Sequence, residues 1–542
     1  AIQEVSVITG GLPANYGDAT GGIISITTRG PSSFYFGGVD ILTSGIKVGE
    51  NTYGLDNYAY NLIEGSLSGP LLMKKDSSGE KTEPILGFFL SANATSIVDD
   101  RPLAIDQYRL KPSVKEELIA EPLRPTGTGQ GVFYNTDFLT ADAFETVKYR
   151  QNVARQGLTL AGKIDVNAAS NINLTFGGSL DWNTRSSGSF AGSVFNYDNF
   201  PKVTNLSWRA YGRFTQRFTN AGQDDDEVGE GEEAPKPSLI KNIYYTVMAD
   251  YSKFNQLVED DTHGSSLFNY GYVGKFETFR QNSYQWNNEL QALEHNGFDD
   301  TLVVFTPSQT NTELAAITSQ YYDIYDESFG NYENFTQILD GNALLNGMLP
   351  TSVYGIWSNI GSQYNGYRKT DNQQIRITAM GSADIGNHAV SLGFEYEQRQ
   401  DRFFGASPVG LWTHLRQLTN NHITELDFAS PTISQIGSLT LIDYARLNAA
   451  PGDYTGSDAQ AFFDYNLRNA LGLNPDGTDF INVDAIDPEF YAANGNLGLF
   501  SADELLNNGS NFVTYYGYDH TGAKTSTKPT LDDFFTQVDE YG

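Results

Sequence analysis

Cysteine is absent from this chain of 542 residues. That excludes a disulfide framework and any thiolate metal site. Long apolar runs are absent too. Nowhere do roughly 18 apolar residues follow one another, so no helix of this chain is expected to cross a membrane. Strands are not excluded by that test. A membrane-crossing strand needs only about 9–11 residues and alternates apolar with polar, which hydropathy averaging conceals. Positive charge is scarce. Lys and Arg number 34 against 66 Asp and Glu, a formal net charge of −32. Phosphate backbones require a basic face, so nucleic acid is excluded as a partner. Catalytic signatures are missing as well. There is no His-Glu-x-x-His helix and no Gly-x-Ser-x-Gly elbow, and the six His never fall at a metal-pair spacing. No enzyme is expected.

What is abundant is Gly (54), Tyr (32) and Phe (33), set against only four Met. Glycine with aromatics favours a β-rich surface or membrane protein, and 13% aromatic content argues against disorder. Period-two patterning then picks out strands. It is strictest over 157–167, where Leu158, Leu160, Ile164 and Val166 alternate with Thr159, Lys163, Asp165 and Asn167. It resumes over 172–183, where Ile172, Leu174, Phe176, Leu180 and Trp182 alternate with Asn173, Thr175, Ser179 and Asp181. One face of such a hairpin is apolar and the other polar. Further strands are expected at 33–44, 58–72, 85–98, 204–218, 240–258, 373–385 and 389–401, nine in all. Local helices are expected near 458–471 and 501–507 within an otherwise unpatterned tail.

The connections alternate in length. Those at 73–84, 168–171, 219–237 and 386–388 are short or polar. Those at 101–155, 188–203, 261–372 and 406–542 are mostly long. Outer-membrane barrels have short turns on the periplasmic side and long loops outside. The expected class is therefore all-β, a transmembrane antiparallel β-barrel with large extracellular loops 101–155, 261–372 and 406–542. Bacterial barrels are even-numbered and closed. About nine strands do not complete one, so further strands are expected outside this stretch.

The segment before the first strand reads Gly10-Gly11-Leu12-Pro13-Ala14-Asn15-Tyr16-Gly17-Asp18-Ala19-Thr20-Gly21-Gly22-Ile23-Ile24-Ser25-Ile26-Thr27-Thr28-Arg29-Gly30. Physically it is a Gly-rich turn leading into a β-branched strand. As a string it resembles the end of the plug domain of TonB-dependent outer-membrane receptors and transporters. It is closest to the Oar-like, carboxypeptidase-regulatory-like-domain-containing branch of Bacteroidetes-type bacteria. Near the other end, Tyr515-Tyr516-Gly517-Tyr518-Asp519-His520-Thr521-Gly522, followed by Asp532-Asp533-Phe534-Phe535, resembles a long surface loop of the same receptors. The resemblance implies a plug (its end at 1–30) inside a 22-stranded barrel, of which 31–542 is the N-terminal part. It also implies location in the outer membrane of a Gram-negative bacterium, contact with outer-membrane lipid, and energy from a TonB–ExbB–ExbD system. Gly10, Gly11, Pro13, Tyr16, Gly17, Asp18, Gly21, Gly22 and Arg29 are the expected hand-over from plug to wall, with Asp18 and Arg29 paired between the two.

Candidate sites follow from the polar parity. Lys163, Asp165, Asp181, Arg209, Arg213, Arg217, Glu395 and Glu397 are expected to face a lumen, chiefly as an ion-pair set and alternatively as a conduit for an anionic solute. Trp182, Trp208 and Phe218 are expected in aromatic girdles at the lipid–water boundary. Loop aromatics such as Tyr321, Tyr322, Tyr325, Trp357 and Trp412 either pack the loops or grip a ligand. The acidic run 224–233 reads as a solvated connector. Asp476, Asp479 and Asp484 concentrate hard oxygen ligands around Asn474 to Thr478, a candidate calcium loop that lacks the regular acidic spacing and the terminal Glu. No other cofactor is expected. Two functions fit: ligand capture and passage through a plugged barrel, or a non-transporting barrel whose loops dock a lipoprotein or secreted partner. A soluble β-sandwich is the third reading.

Overall fold

The computed structural model describes residues 2–10, 21–28, 31–49, 51–75, 77–79, 81–129, 131–218, 240–329, 334–424, 426–446, 460–506, 511–525 and 530. Strands take 50% of the described residues and helices 17%, which makes the class all-β. No described helix is long and apolar enough to cross a membrane. Two short strands open the chain, β1 (Ile2–Ile8) and β2 (Ile23–Thr28), as an antiparallel pair with Ile8 opposite Ile23. They form a sheet of their own.

The dominant element is an 11-stranded antiparallel sheet. Its long strands are β3 (Phe36–Thr43), β4 (Asn61–Lys75), β5 (Lys81–Ile97), β6 (Arg155–Ala169), β7 (Ile172–Ser186), β8 (Lys202–Phe218) and β9 (Ile240–Glu259). The nine stretches picked out by alternation supply these seven and two more, named below. Each strand pairs with the next in sequence, a meander in which every pair is antiparallel. The hairpin connections fall at one end: Ala169 meets Ile172 across a two-residue turn. Long insertions leave from the opposite end, at 98–154, 187–201 and 260–366. The acidic connector 219–237, including the run 224–233, lies outside the described residues.

Within the third insertion, β10 (Gly274–Asn287) and β11 (Ala292–Pro307) form a hairpin that alternation missed. Its register shifts at Phe279/Arg280 and at Ser283/Tyr284. Each bulge flips the parity of the side chains that follow, so no single period-two pattern survives. The meander then resumes with β12 (Tyr367–Ile385) and β13 (His388–Gln400), joined at Gly386, whose φ of +60° suits a two-residue hairpin turn. After a break at 401–402, β14 (Phe403–Ala406) continues alongside β12. The tail adds a hairpin of β15 (Leu426–Ile436) and β16 (Leu439–Arg446), and β17 (Val513–Tyr516), which pairs with β14. Among the described residues no ladder joins β3 to β13 or β17, so the sheet is open, with β3 at one edge and β13 and, at the cap end, β17 at the other.

The insertions do not behave as separate loops. They condense into one cap at the end of the sheet. A four-stranded sheet in the order β10-β11-β16-β15 crosses from the third insertion to the tail. One apolar core joins Leu123 and Val132 of the first insertion to Val273, Phe276, Val303 and Leu314 of the third. A second joins Phe268 and Tyr272 of the third to Trp412, Leu415, Phe463, Tyr491 and Phe500 of the tail. The aromatics expected either to pack or to bind are therefore largely packing residues. Tyr321, Tyr325 and Trp412 are buried in these cores. The helices expected near 458–471 and 501–507 are Phe462–Ala470 and Ala502–Leu506.

His414, on the helix Leu411–Leu418, shows how this burial couples to pH. Its ring stacks on Phe512 and Phe500, and Nε2 lies 2.7 Å from the Glu504 carbonyl. Burial holds it below the ordinary value of 6.5. A histidine with a depressed native pKa is neutral in the fold, whereas the unfolded chain gains a proton as pH falls through 6.5. Its contribution to stability is thus intact above that value and lost below it. Buried carboxyls such as Glu504 are shifted upward and act in the opposite direction. A His414→Gln comparison removes only the histidine contribution. The thermal midpoint of the variant should fall less steeply than that of the parent between pH 7 and pH 5, measured by differential scanning fluorimetry. Parallel slopes would refute the assignment.

Candidate functional site

The two faces of the large sheet differ chemically, and register fixes which residues share each. Leu160 lies opposite Leu180, which lies opposite Trp208. Ile164 lies opposite Phe176. Along the same face run Val39, Ile41, Leu67, Leu90, Ile375, Ile377, Leu392 and Phe394, all large and exposed. Trp182 and Phe218 belong to this face by parity, as does Trp208, whose ring sits 5.1 Å from that of Tyr251.

The opposite face is polar. All eight residues expected to share a lumen do share this face. Lys163, Asp165 and Asp181 stand at its parity on β6 and β7, Arg209, Arg213 and Arg217 on β8, and Glu395 and Glu397 on β13. They do not converge on one point. Lys163 Nζ is 3.8 Å from Asp165, Asp181 accepts a hydrogen bond from Thr159 at 2.8 Å, and Arg213 donates to Thr175 at 3.3 Å. Arg217 lies over the Tyr244 ring, 5.6 Å from its centroid. Glu397 stands opposite Arg376, and Glu395 opposite Thr378.

The strongest local centre was not singled out from the sequence. Asp250 on β9 forms an ion pair with Arg209 at 3.2 Å and accepts a hydrogen bond from Arg376 at 3.1 Å, bridging three strands. Its side chain is 4% exposed, while the two arginine side chains are 40% and 30% exposed. A signal existed. Arg376 sits between Ile375 and Ile377, so parity alone assigns it to the polar face. Asn in place of Asp250 leaves two cations without their carboxylate. Both arginine side chains are partly exposed, so the expected cost is about 1–2 kcal/mol. Thermal unfolding of D250N in detergent measures it, and R209Q/D250N/R376Q should recover part of the loss.

Glycine shapes this face at one point. The Tyr211 ring lies over Gly177, where an added Cβ would come within 2.6 Å of it. A cavity of about 1000 Å³ lies against the first strands, lined in part by Gly38, Ser66, Ser91, Ala161 and Ser179, a row of small side chains in cross-strand register.

The remaining candidates are dispersed. Asp484 is buried and held by Arg416 at 2.7 Å and by Asn346 at 3.0 Å, and burial pushes its carboxyl upward. Asp476 and Asp479 are exposed elsewhere on the tail, where 474–477 closes as a turn. No cluster of three or more acidic or histidine side chains arranged for a metal occurs among the described residues. Of the hand-over residues, Gly10 (φ +73°), Gly21 and Gly22 (φ +150°) flank the β1–β2 turn. A Cβ at Gly22 would meet the Ile8 carbonyl at 2.9 Å, so close approach requires glycine there. Gly11, Pro13, Tyr16, Gly17, Asp18 and Arg29 lie outside the described residues.

Comparison of the chain with protein-family models finds no match, and comparison with curated proteins finds none either.

Proposed function

We propose that this chain forms part of the wall of an outer-membrane receptor of the TonB-dependent, Oar-like type. It captures a ligand on its cap and passes it along the polar face of the wall. One observation carries the reading. A nearest-neighbour antiparallel meander presents exposed apolar side chains on one face and a charged network on the other, with its long insertions at one end. An exposed apolar surface of that extent fits lipid and does not fit water. In this reading the two open edges belong inside a closed barrel, because lipid does not tolerate unpaired strand edges. The β1–β2 hairpin is the end of the plug.

The direct test is partition. The chain should require detergent, and in cells it should fractionate with the outer membrane with its cap open to externally added protease. A chain that stays monodisperse in water overturns the reading. Ligand uptake that disappears without TonB would establish transport.

A second reading draws on the cap. Its aromatics are consumed by two packed cores, so it is a folded layer suited to docking another protein. A barrel that serves as a fixed subunit of a surface complex would co-purify with a partner at constant stoichiometry and work unchanged without TonB.

A further inference from the structure

The cap end of the apolar face holds a cationic pocket that the reading above does not use. Register sets its composition. Going up this face from Trp208 and Tyr251, Leu206 stands opposite Asn255, which stands opposite Asp371. One step further, Leu257 stands opposite Lys369. With Tyr518 and Lys524 from the tail, these residues line a cavity of about 330 Å³.

Positive charge is concentrated there. Lys253 Nζ is 3.4 Å from Asp371, and Lys524 pairs with the other oxygen of the same carboxylate. Lys369 Nζ donates to the Gly522 carbonyl at 2.6 Å and sits over the Tyr518 ring, 4.7 Å from its centroid. Arg402 is bonded through its backbone to Asp371, and its Nε is buried without a hydrogen-bond partner. Two lysines thus pair with Asp371, whose side chain is 4% exposed, while Lys369 stands one step along the same face and Arg402 opposite it on the neighbouring segment. The carboxylate acting on Lys369 is Asp519, which already accepts from the backbone of Thr521 and Ala523. In a chain of net charge −32, this is a local excess of positive charge.

We propose that the pocket binds the head group of a phosphorylated lipid, with the acyl chains lying down the apolar face. A phosphate monoester carries about −1.5 to −2 charges and three acceptor oxygens, which matches a lysine cluster with spare donors. Continuity with the apolar face selects a lipid over a free anion. The Trp208 and Tyr251 rings lie immediately below the pocket, with exposed Ile375 and Ile377 beyond them. The proposal rests on reading the sheet as a membrane wall.

The test uses the 542-residue chain in zwitterionic detergent. It is titrated with short-chain phosphatidic acid, with phosphatidylcholine of equal chain length and with inorganic phosphate, and followed by calorimetry. Phosphatidic acid should bind and the other two should not. K524Q should weaken binding roughly fivefold and K369Q/K524Q roughly 30-fold, at about 1 kcal/mol per lysine. K148Q, an exposed lysine of the first insertion, should leave it unchanged. Lys524 is half-exposed, so K524Q alone decides the question if the double variant does not fold. Equal binding by parent and variant overturns the proposal, and so does inorganic phosphate binding as well as the lipid. If the chain proves soluble without detergent, the membrane reading fails separately. The short-chain lipid titration, run in water, then still decides the pocket.

Discussion

Alanine at Trp412 is expected to destabilise the cap by about 3–5 kcal/mol, the range for deleting a fully buried large aromatic. The side chain is 0% exposed. It stacks on Tyr272 at 5.3 Å and meets Phe268 and Tyr491 edge-on, each at 5.5 Å. Its Nε1 donates to the Phe268 carbonyl at 3.0 Å. Truncation leaves a ring-sized void and removes that donor from a buried carbonyl. Position raises the consequence. Phe268 and Tyr272 belong to the third insertion and Trp412 to the tail, so this one ring holds two distant segments together. The large sheet keeps its own ladder bonds, so the failure should be local. Limited proteolysis over a temperature ramp should show cleavage in the cap at lower temperature than in the parent, with the far-ultraviolet β signal retained. W412F should recover part of the loss. Protease resistance unchanged in W412A would sink the assignment.

Arg468→Ala is the second large effect, again about 3–5 kcal/mol, because it leaves a buried charge unpaired. Arg468 and Asp464 face each other one helical turn apart, both 0% exposed, with Nε to Oδ2 at 2.7 Å. The guanidinium also donates to the Asp479 carbonyl at 2.7 Å and to Asn420 at 3.2 Å. Once Arg468 is gone, Asp464 keeps the Asn420 backbone N–H and the Gln460 amide, neither of which neutralises it. D464N/R468M should therefore be less damaged than R468A alone. His422 adds a pH signature. Its Nδ1 is 3.5 Å from Asp464, and burial holds its pKa down, with Arg468 adding to the depression and Asp464 opposing it. Removing Arg468 lets His422 protonate more readily beside the orphaned carboxylate. A histidine that gains a partner stabilises below its unfolded value of 6.5 and loses that contribution as pH rises. The gap between R468A and the parent should narrow from pH 8 to pH 5.5 in thermal melts. A gap that widens on acidification contradicts the geometry.

These two sites show where sequence patterning stops. Trp412 sits in a tail without strand-like alternation, and nothing local says that it meets Phe268. Arg468 and Asp464 have the spacing of an ordinary solvated helix pair, and only the closure of 474–484 over them makes them buried. The β10–β11 hairpin was hidden by its own bulges. Asp250 lay in a recognised strand, yet its importance depends on Arg376, which is brought beside it from across the third insertion.

The sequence by itself determined the nine long strands, the face each residue takes and the end at which the turns lie. These are local properties. Side-chain direction alternates every residue along a strand, and a tight turn is written in a few adjacent residues. It also determined that Lys163, Asp165, Asp181, the three arginines of β8, Glu395 and Glu397 share one face. Only the tertiary structure decided that the insertions fuse into one cap, that the aromatics there are mostly core, and that Asp250 and Asp371 each gather cations from several elements. Such contacts join residues tens to hundreds of positions apart. Their free energy comes from burial and pairing that exist only after the chain has closed on itself, and no local period records it.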